Sequence, residues 1–489
     1  MRNICGANAI GAASRRLRER MGRLFLSAIH KSSGKTTVSL GLAAALTARG
    51  LSVQTFKKGP DYIDPMWLER ASGRACYNLD FNTQAAAEIT ATFRRGAQNM
   101  DVALIEGNKG LHDGMDLAGS DSSAALAKLL GAPVILVVDV VGMLRGIAPL
   151  VLGYAAFDPD VRLGGVILNK VGLPRQESKL RQALENYTDV PVLGAIGRDE
   201  ALSVSERHLG LTPPTETADL RETINGIRDM VARGVDLDRM IGIAASAGHP
   251  EAPSPIAAAG VGDVRIAVAR DAAFGFYYAD DFLALERAGA QLIFFDALKD
   301  ERLPATDALF IGGGFPETQA AALAANTSLR RQVKEAIASG LPTYAECGGL
   351  MYLTRSINWR GQTHAMVGAI PADTVVRDRP QGRGLVLVEE TGEAFWPDRP
   401  ETGPIAAHEF HHAALENIDP SCRFAYRMRR GFGVDGKRDG IVIGNTLASF
   451  SHLRDTSRHH WASRFVAFIR QTRAATHKDA PVSRLIAAE

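Results

Sequence analysis

The sequence predicts two α/β domains in series, the first built on a doubly wound parallel sheet. Three observations predict this. The chain has 489 residues, a length that suits two or three domains. Its first half alternates short apolar runs with helical patterns, the order that gives parallel strands joined by crossover helices. An Ala/Pro/Gly-rich stretch, SAGHPEAPSPIAAAGVG, then interrupts the pattern before a second strand–helix alternation begins. The expected division is a basic tail without fixed structure over residues 1–22, a first domain over 23–246, a linker over 247–262, a second domain over 263–470 and a tail over 471–489.

Composition excludes several classes. A net charge of +2 implies no global pull toward nucleic acid or a membrane surface. Cys5, Cys76, Cys347 and Cys422 are far apart and show no CxxC spacing, which argues against a disulfide framework or a zinc site and for a reducing cytoplasm. The longest apolar run, Ala132 to Val141, contains Asp139 and is too short to span a bilayer. The Arg-rich start (Arg15, Arg16, Arg18, Arg20) has no apolar core and does not read as a secretory signal; it reads as a frayed tail, or as residues ahead of a true start at Met21.

The first strand, RLFLSAI, runs into His30-Lys31-Ser32-Ser33-Gly34-Lys35-Thr36-Thr37 and a helix. Strand, small-residue loop, Gly-Lys-Thr and helix make a P-loop, although the loop's opening glycine is missing. Backbone N–H groups at the helix start would cradle phosphates, Lys35 would reach the outer ones and Thr36 would ligate Mg²⁺. A second strand, Ser52 to Phe56, ends in KKGPDYIDP, where Asp61 and Asp64 suit a metal or a substrate as well as they suit a solvated Asp-Pro turn. A third, Val102 to Ile105, delivers Glu106 at its end, the place of a metal-ordering carboxylate in P-loop enzymes, and leads through Asn108 and Lys109 to Asp113. Strands at 133–138 and 164–168 follow; the latter ends in Asn169-Lys170, read as an adenine contact because no aspartate follows for guanine.

In the second half, strands are expected at 264–269, 291–295 and 308–311, with a helix over 281–288. The last of these strands ends in Gly312-Gly313-Gly314, whose exposed N–H groups suit an oxyanion. The stretch TYAECGGLMYL is a strand, a sharp turn and a helix with Cys347 at the turn. Unpaired N–H groups at a helix start favour a thiolate there, and Gly348 lets backbone approach closely. A small buried core cysteine is the plain alternative. The nucleophile needs a base, and the candidates are His408, His411, His412 and His452. His408 and His412 could share a helix face and hold zinc, but the run reads as extended and lacks a third ligand. His452 follows a strand-like run, as a base presented at a strand end would.

KKGPDYIDP, EGNKGLHDG, ARDAAFGFYY, GGGFPE, YAECGGLMYL and HEFHH occur in this order. With them the chain resembles the cobyrinate a,c-diamide synthase family, glutamine-hydrolysing tetrapyrrole amidases. The resemblance runs from about Arg23 to about Phe468. It implies an ATP-dependent synthetase domain of the dethiobiotin-synthetase type joined to a class I glutamine amidotransferase domain. It implies Cys347 as nucleophile and His452 as base, with Gly313, Gly314 and Gly348 around the oxyanion and glutamine. Gly34, Lys35, Thr36, Thr37 and Asn169 would bind ATP; Thr36, Glu106 and Asp61 would bind Mg²⁺; Asp64, Asp113, Lys58 and Lys109 would face the substrate or its acyl phosphate. The partners implied are glutamine and a tetrapyrrole polycarboxylate, with a homodimer left open.

The chain departs from the common family pattern twice. It has Asn108-Lys109 where many members have Val-Met, similar to the branch that amidates sirohydrochlorin or sirohaem, and His452-Leu453-Arg454 where many have His-Leu-His. Two other readings compete: a P-loop partitioning or scaffold ATPase, and a ligase that takes free ammonia beside an inactive glutaminase domain.

Overall fold

The computed structural model describes residues 22–198, 206–207, 210–217, 219–248, 262–399 and 403–479. The chain divides into two compact units, Met1–Pro255 and Ile256–Glu489. The basic tail except Gly22, the alternative start at Met21, most of the proposed linker and the last ten residues lie outside the described residues.

The first unit holds β1 (Gly22–Ala28), α1 (Lys35–Ala48), β2 (Val53–Lys58), α2 (Ile63–Ser72), β3 (Tyr77–Leu79), α3 (Ala86–Ala97) and β4 (Val102–Glu106). It continues with α4 (Ser123–Leu129), β5 (Val134–Asp139), α5 (Ile147–Phe157), β6 (Leu163–Val171), α6 (Pro174–Tyr187), β7 (Val192–Gly197), α7 (Leu220–Gly234) and α8 (Leu237–Ala245). The seven strands form one parallel sheet in the order β3-β2-β4-β1-β5-β6-β7. Every residue of β4 is buried, and all of β5 except Asp139, as a sheet covered on both faces requires. Several elements escape the sequence reading, among them α2, α3, α5 and α6 and three less regular ones. β3 is only three residues long, β7 carries Gly194 within its apolar run, and α8 lies where the apolar pattern fades; it packs its Ala244 against Gly22 of β1.

Register fixes what the sheet's carboxyl edge presents. Glu106 pairs with Leu26 on one side and Lys57 on the other, so β4 and β2 end together beside the loop that leaves β1. Ligands of open α/β sheets bind at that edge.

The second unit holds β8 (Val264–Ala269), α9 (Ala279–Ala288), β9 (Ala290–Phe295), β10 (Ala308–Ile311), α10 (Ala320–Ala325), α11 (Thr327–Ala338), β11 (Thr343–Glu346) and α12 (Gly348–Leu353). Then come β12 (Ser356–Trp359), β13 (Gln362–Ala365), β14 (Asp373–Val376), β15 (Gly382–Glu390), β16 (Ile405–His411), β17 (Ala413–Glu416), β18 (Arg423–Arg430), β19 (Arg438–Ile443), β20 (Thr446–Ser449) and α13 (Trp461–Asp479). Nine strands make a mixed sheet, β9-β8-β10-β11-β20-β19-β18-β15-β16, parallel as far as β20 and antiparallel beyond. A four-stranded sheet, β13-β12-β14-β17, stands beside it.

The alternation of β10 shows how one strand serves two cores. Leu309 and Ile311 join Ala345 and Leu350 on one face; Ala308 and Phe310 join Tyr344 and Trp461 on the other. The boundary expected at residue 470 is corrected: α13 continues to Asp479. Phe465, Val466 and Ile469 anchor it in the core, and Arg470 and Arg473 pair with Asp263 at the start of the unit.

Candidate active sites

In the first unit, β1 ends at Ala28 and the chain turns through Gly34 in the left-handed region (φ 84°) into α1. A Cβ at Gly34 would clash with Asn169 Nδ2, and that amide donates to Ser33 O (2.8 Å). Asn169, expected at adenine, is thus fitted to the loop itself. Lys35, Thr36 and Thr37 form the first turn of α1. Thr36 Oγ1 donates to Glu106 Oε1 (2.7 Å) and to Asp64 Oδ2 (3.2 Å), and Lys35 Nζ lies 3.4 Å from Glu106 Oε1.

Lys57 completes this cluster, a residue to which the sequence analysis gives no role. Its ammonium is fully enclosed and donates to Asp64 Oδ2 (2.5 Å), Glu106 Oε1 (2.9 Å) and Gly107 O (3.3 Å). Burial opposes the charge on Lys57, but Asp64 and Glu106 outweigh it and hold the ammonium well above its usual range. Burial would likewise raise Asp64; Lys57 and Lys35 hold it below the usual carboxylate range. The signal that could have found Lys57 is its register beside Glu106, which a sequence does not print.

Asp61 was expected at the metal and Asp64 at the substrate. The structure places Asp64 with Thr36 and Glu106, while Asp61 Oδ1 accepts from the Ile63 and Asp64 N–H groups at the start of α2. Burial and the adjacent Asp64 push Asp61 up to about 7, with solvent reaching nearly a third of its side chain to oppose the shift. The remaining expected residues form a rim. Lys58 is half-buried and close enough to Lys109 to feel its charge; Lys109 and Asp113 are exposed, and Asp113 Oδ2 holds the loop through the Gly110 N–H (3.0 Å).

Mg²⁺ fits the inner cluster. Thr36, Asp64 and Glu106 offer hard oxygen donors, and Glu106 Oε2 is buried without a hydrogen-bond partner. Among the described residues no three His, Cys, Asp or Glu side chains form a metal cage. Two carboxylates and a hydroxyl are what Mg²⁺ takes when phosphate oxygens and water complete its shell.

In the second unit, β11 carries the chain to Glu346, and Cys347 turns it into α12 with φ 46° and ψ −99°. So strained a residue costs of order 1–3 kcal/mol and persists because its surroundings fix it. The Cys347 N–H donates to Ser449 O (2.7 Å) on the neighbouring strand. Cys347 Sγ lies 3.8 Å from Phe410 O. The glycine run packs against this elbow: a Cβ on Gly348 would stand 3.0 Å from Gly314 N, and one on Gly313 would meet His452. Tyr277 Oη accepts from the Gly312 N–H (2.8 Å) and steadies the glycine run.

His452 is buried and hydrogen-bonds to Cys347 on one side; its Nδ1 is 3.2 Å from Glu346 Oε2 on the other. Burial disfavours its charge, yet the bonds to Cys347 and Glu346 and their negative charge raise it to about 10. Asp439, which the sequence analysis did not single out, and His408, there a candidate base, fix it. Asp439 accepts from the Phe450 and Ser451 N–H groups, and His408 exchanges backbone hydrogen bonds with His452 (2.8 and 3.3 Å). HEFHH therefore belongs to a strand that clamps the base. His411 stacks on Phe450 with its Nδ1 bonded to Ala413 O (2.8 Å), and burial and His452 push His408 down to about 3.

Comparison with known proteins gives a family match for each unit. Residues 28–211 match the CobQ/CobB/MinD/ParA nucleotide binding domain, and residues 265–459 match the CobB/CobQ-like glutamine amidotransferase domain. The chain is 44% identical to the cobyrinate a,c-diamide synthase of Magnetococcus marinus over 92% of its length and 98% of that protein's. It is 40% identical to the one of Methanosarcina acetivorans (93% and 96%) and 37% identical to the one of Listeria innocua (88% and 96%). Likeness of this extent, across both units, means that the chain belongs to the cobyrinate a,c-diamide synthase family.

Proposed function

We propose that the protein uses ATP and glutamine to convert acetate side chains a and c of a cobyrinate-type ring into amides. The observation that carries this is the Cys347–His452 pair at a strand–helix elbow, in a chain whose other unit holds the Lys35–Thr36–Glu106 cluster. A partitioning ATPase has no use for such an elbow.

The steps follow from the residues. A carboxylate cannot expel oxide, so it first takes the γ-phosphoryl group of ATP and releases ADP. Lys35 draws negative charge from the phosphates, while Asp64 and Glu106, with Thr36, would hold Mg²⁺. Mg²⁺ bound there would supply positive charge to offset that of the phosphates. In this reading Asp64 takes the metal role and Asp61 caps α2. In the other unit the Cys347 proton passes to His452 and the sulfur attacks the glutamine amide carbon. N–H groups of Gly314 and Gly348 face the oxyanion. His452 returns the proton to the departing nitrogen, giving ammonia and a thioester that water hydrolyses to glutamate. Ammonia then displaces phosphate from the acyl phosphate and leaves the amide.

The test is a substrate panel with ATP, Mg²⁺ and glutamine carrying a heavy amide nitrogen, read by mass: cobyrinate, hydrogenobyrinate, sirohydrochlorin, nickel-sirohydrochlorin and sirohaem. Heavy amide in cobyrinate is the expected result; no label in any ring sinks the reading. Cys347→Ser should lose the label from glutamine yet form amide from ammonium salts.

A second reading keeps the chemistry and changes the ring to sirohydrochlorin or sirohaem. The exposed Lys109 beside Lys58 favours it, since added cationic charge suits a ring with more carboxylates. Replacing Asn108-Lys109 with Val-Met should then weaken KM for that ring more than for cobyrinate.

A further inference from the structure

We propose that Glu346 is a positioning residue of the glutaminase site, holding His452 in the orientation and tautomer that serve the thiol. The inference rests on the glutaminase reading above and adds a third member to the Cys347–His452 pair. A nucleophile–histidine pair works best when a further group orients the base.

The residues after His452 do not supply that group. Leu453 is apolar and buried, and Arg454 is paired with Asp280 (2.7 Å). Asp455 accepts from the Ala462 N–H and lies 3.4 Å from His460 Nδ1. Glu346 reaches the imidazole from a different element. Its Oε1 accepts from Tyr344 Oη (2.5 Å) and from the Leu453 N–H (2.9 Å), which leaves Oε2 for His452 Nδ1 at 3.2 Å. The Nδ1–H donates to this carboxylate, so Nε2 is the nitrogen left to exchange a proton with sulfur. Nε2 lies on the side of the glycine run: a Cβ on Gly313 would stand 3.3 Å from it.

The elbow explains how neighbours in sequence can flank one ring. In a continued strand, residues 346 and 347 would point to opposite faces. The positive φ of Cys347 breaks that alternation, and both side chains meet His452. Other titratable groups around the pair do not compete. Burial raises Tyr277, Tyr344 and Tyr426, and with Asp280 it raises Asp281; His408 stays neutral, and Asp280 takes the charge of Arg454.

The experiment compares Glu346→Gln and Glu346→Asp with the parent full-length chain. It measures glutamine hydrolysis and the pH profile of Cys347 alkylation by iodoacetamide. Glu346→Gln should lower the hydrolysis kcat by about 10²-fold or more and change the pH profile of alkylation from the parent's. Glu346→Asp, which keeps the charge, should recover at least about tenfold of that loss. Hydrolysis in Glu346→Gln within about threefold of the parent overturns the proposal. So do Gln and Asp variants that fall equally while both keep the parent's alkylation profile, because that is the mark of a merely structural role. If the parent alkylates normally but hydrolyses no glutamine, the glutaminase reading fails. The alkylation profiles of the two variants still decide the part played by Glu346.

Discussion

Gly313 and His452 are fitted to each other: a Cβ added at Gly313 would stand 2.5 Å from His452 Cε1. Carbon atoms do not approach so closely, so the imidazole or the glycine run must move. Gly313→Ala should therefore cut glutamine-dependent amidation by about tenfold or more, a barrier change of about 1.4 kcal/mol. Ammonium-driven amidation on the same preparation should continue. Equal losses with both nitrogen sources would show that Gly313 matters for folding alone.

The raised His452 has a consequence for pH. A free imidazole titrates near 6.5 and this one near 10, so the folded state holds the proton more tightly. That contribution to stability is complete below about pH 6.5 and is lost as pH rises through about 10. The parent should lose more stability to heat or denaturant between about pH 8 and about pH 11 than His452→Ala, which lacks the titrating ring. Equal losses in the two proteins would refute the raised imidazole.

Lys57→Met tests the buried cation of the first unit. It leaves Asp64 and Glu106 facing each other without their shared ammonium. Breaking a buried pair on one side costs about 3–5 kcal/mol. Amide hydrogen exchange over Val53–Lys58 should accelerate, and Mg²⁺ should slow it again. An unchanged exchange rate would mean that Lys57 is neutral in the folded protein.

Asp61 and Asp64 should separate when each is changed to asparagine. Asp64→Asn should raise the Mg²⁺ concentration needed for ATP cleavage at least about tenfold, because one of two carboxylates is lost. Asp61→Asn keeps a capping oxygen and should cost less than about 1 kcal/mol of stability. The reverse ranking would return the metal role to Asp61.

The sequence by itself determined what is local. Gly-Lys-Thr after an apolar strand, Glu106 at the end of another and Glu346-Cys347-Gly348-Gly349 between strand and helix can each be read in a short window, because strand period, helix period and turn chemistry are short-range. The two-domain α/β order was legible for the same reason. What joins distant windows was not. Asp64 rather than Asp61 meets Thr36 because α2 turns one carboxylate inward and uses the other as its cap. Lys57 becomes an enclosed cation because β2 and β4 end in register. Asn169 packs on the P-loop because β6 ends across the sheet from it. Glu346 reaches a histidine 106 positions away because β11 and β20 run side by side and Cys347 breaks the strand's alternation. Strand order and register are set by burial summed over the whole chain, so these pairings exist only once the sheets have formed.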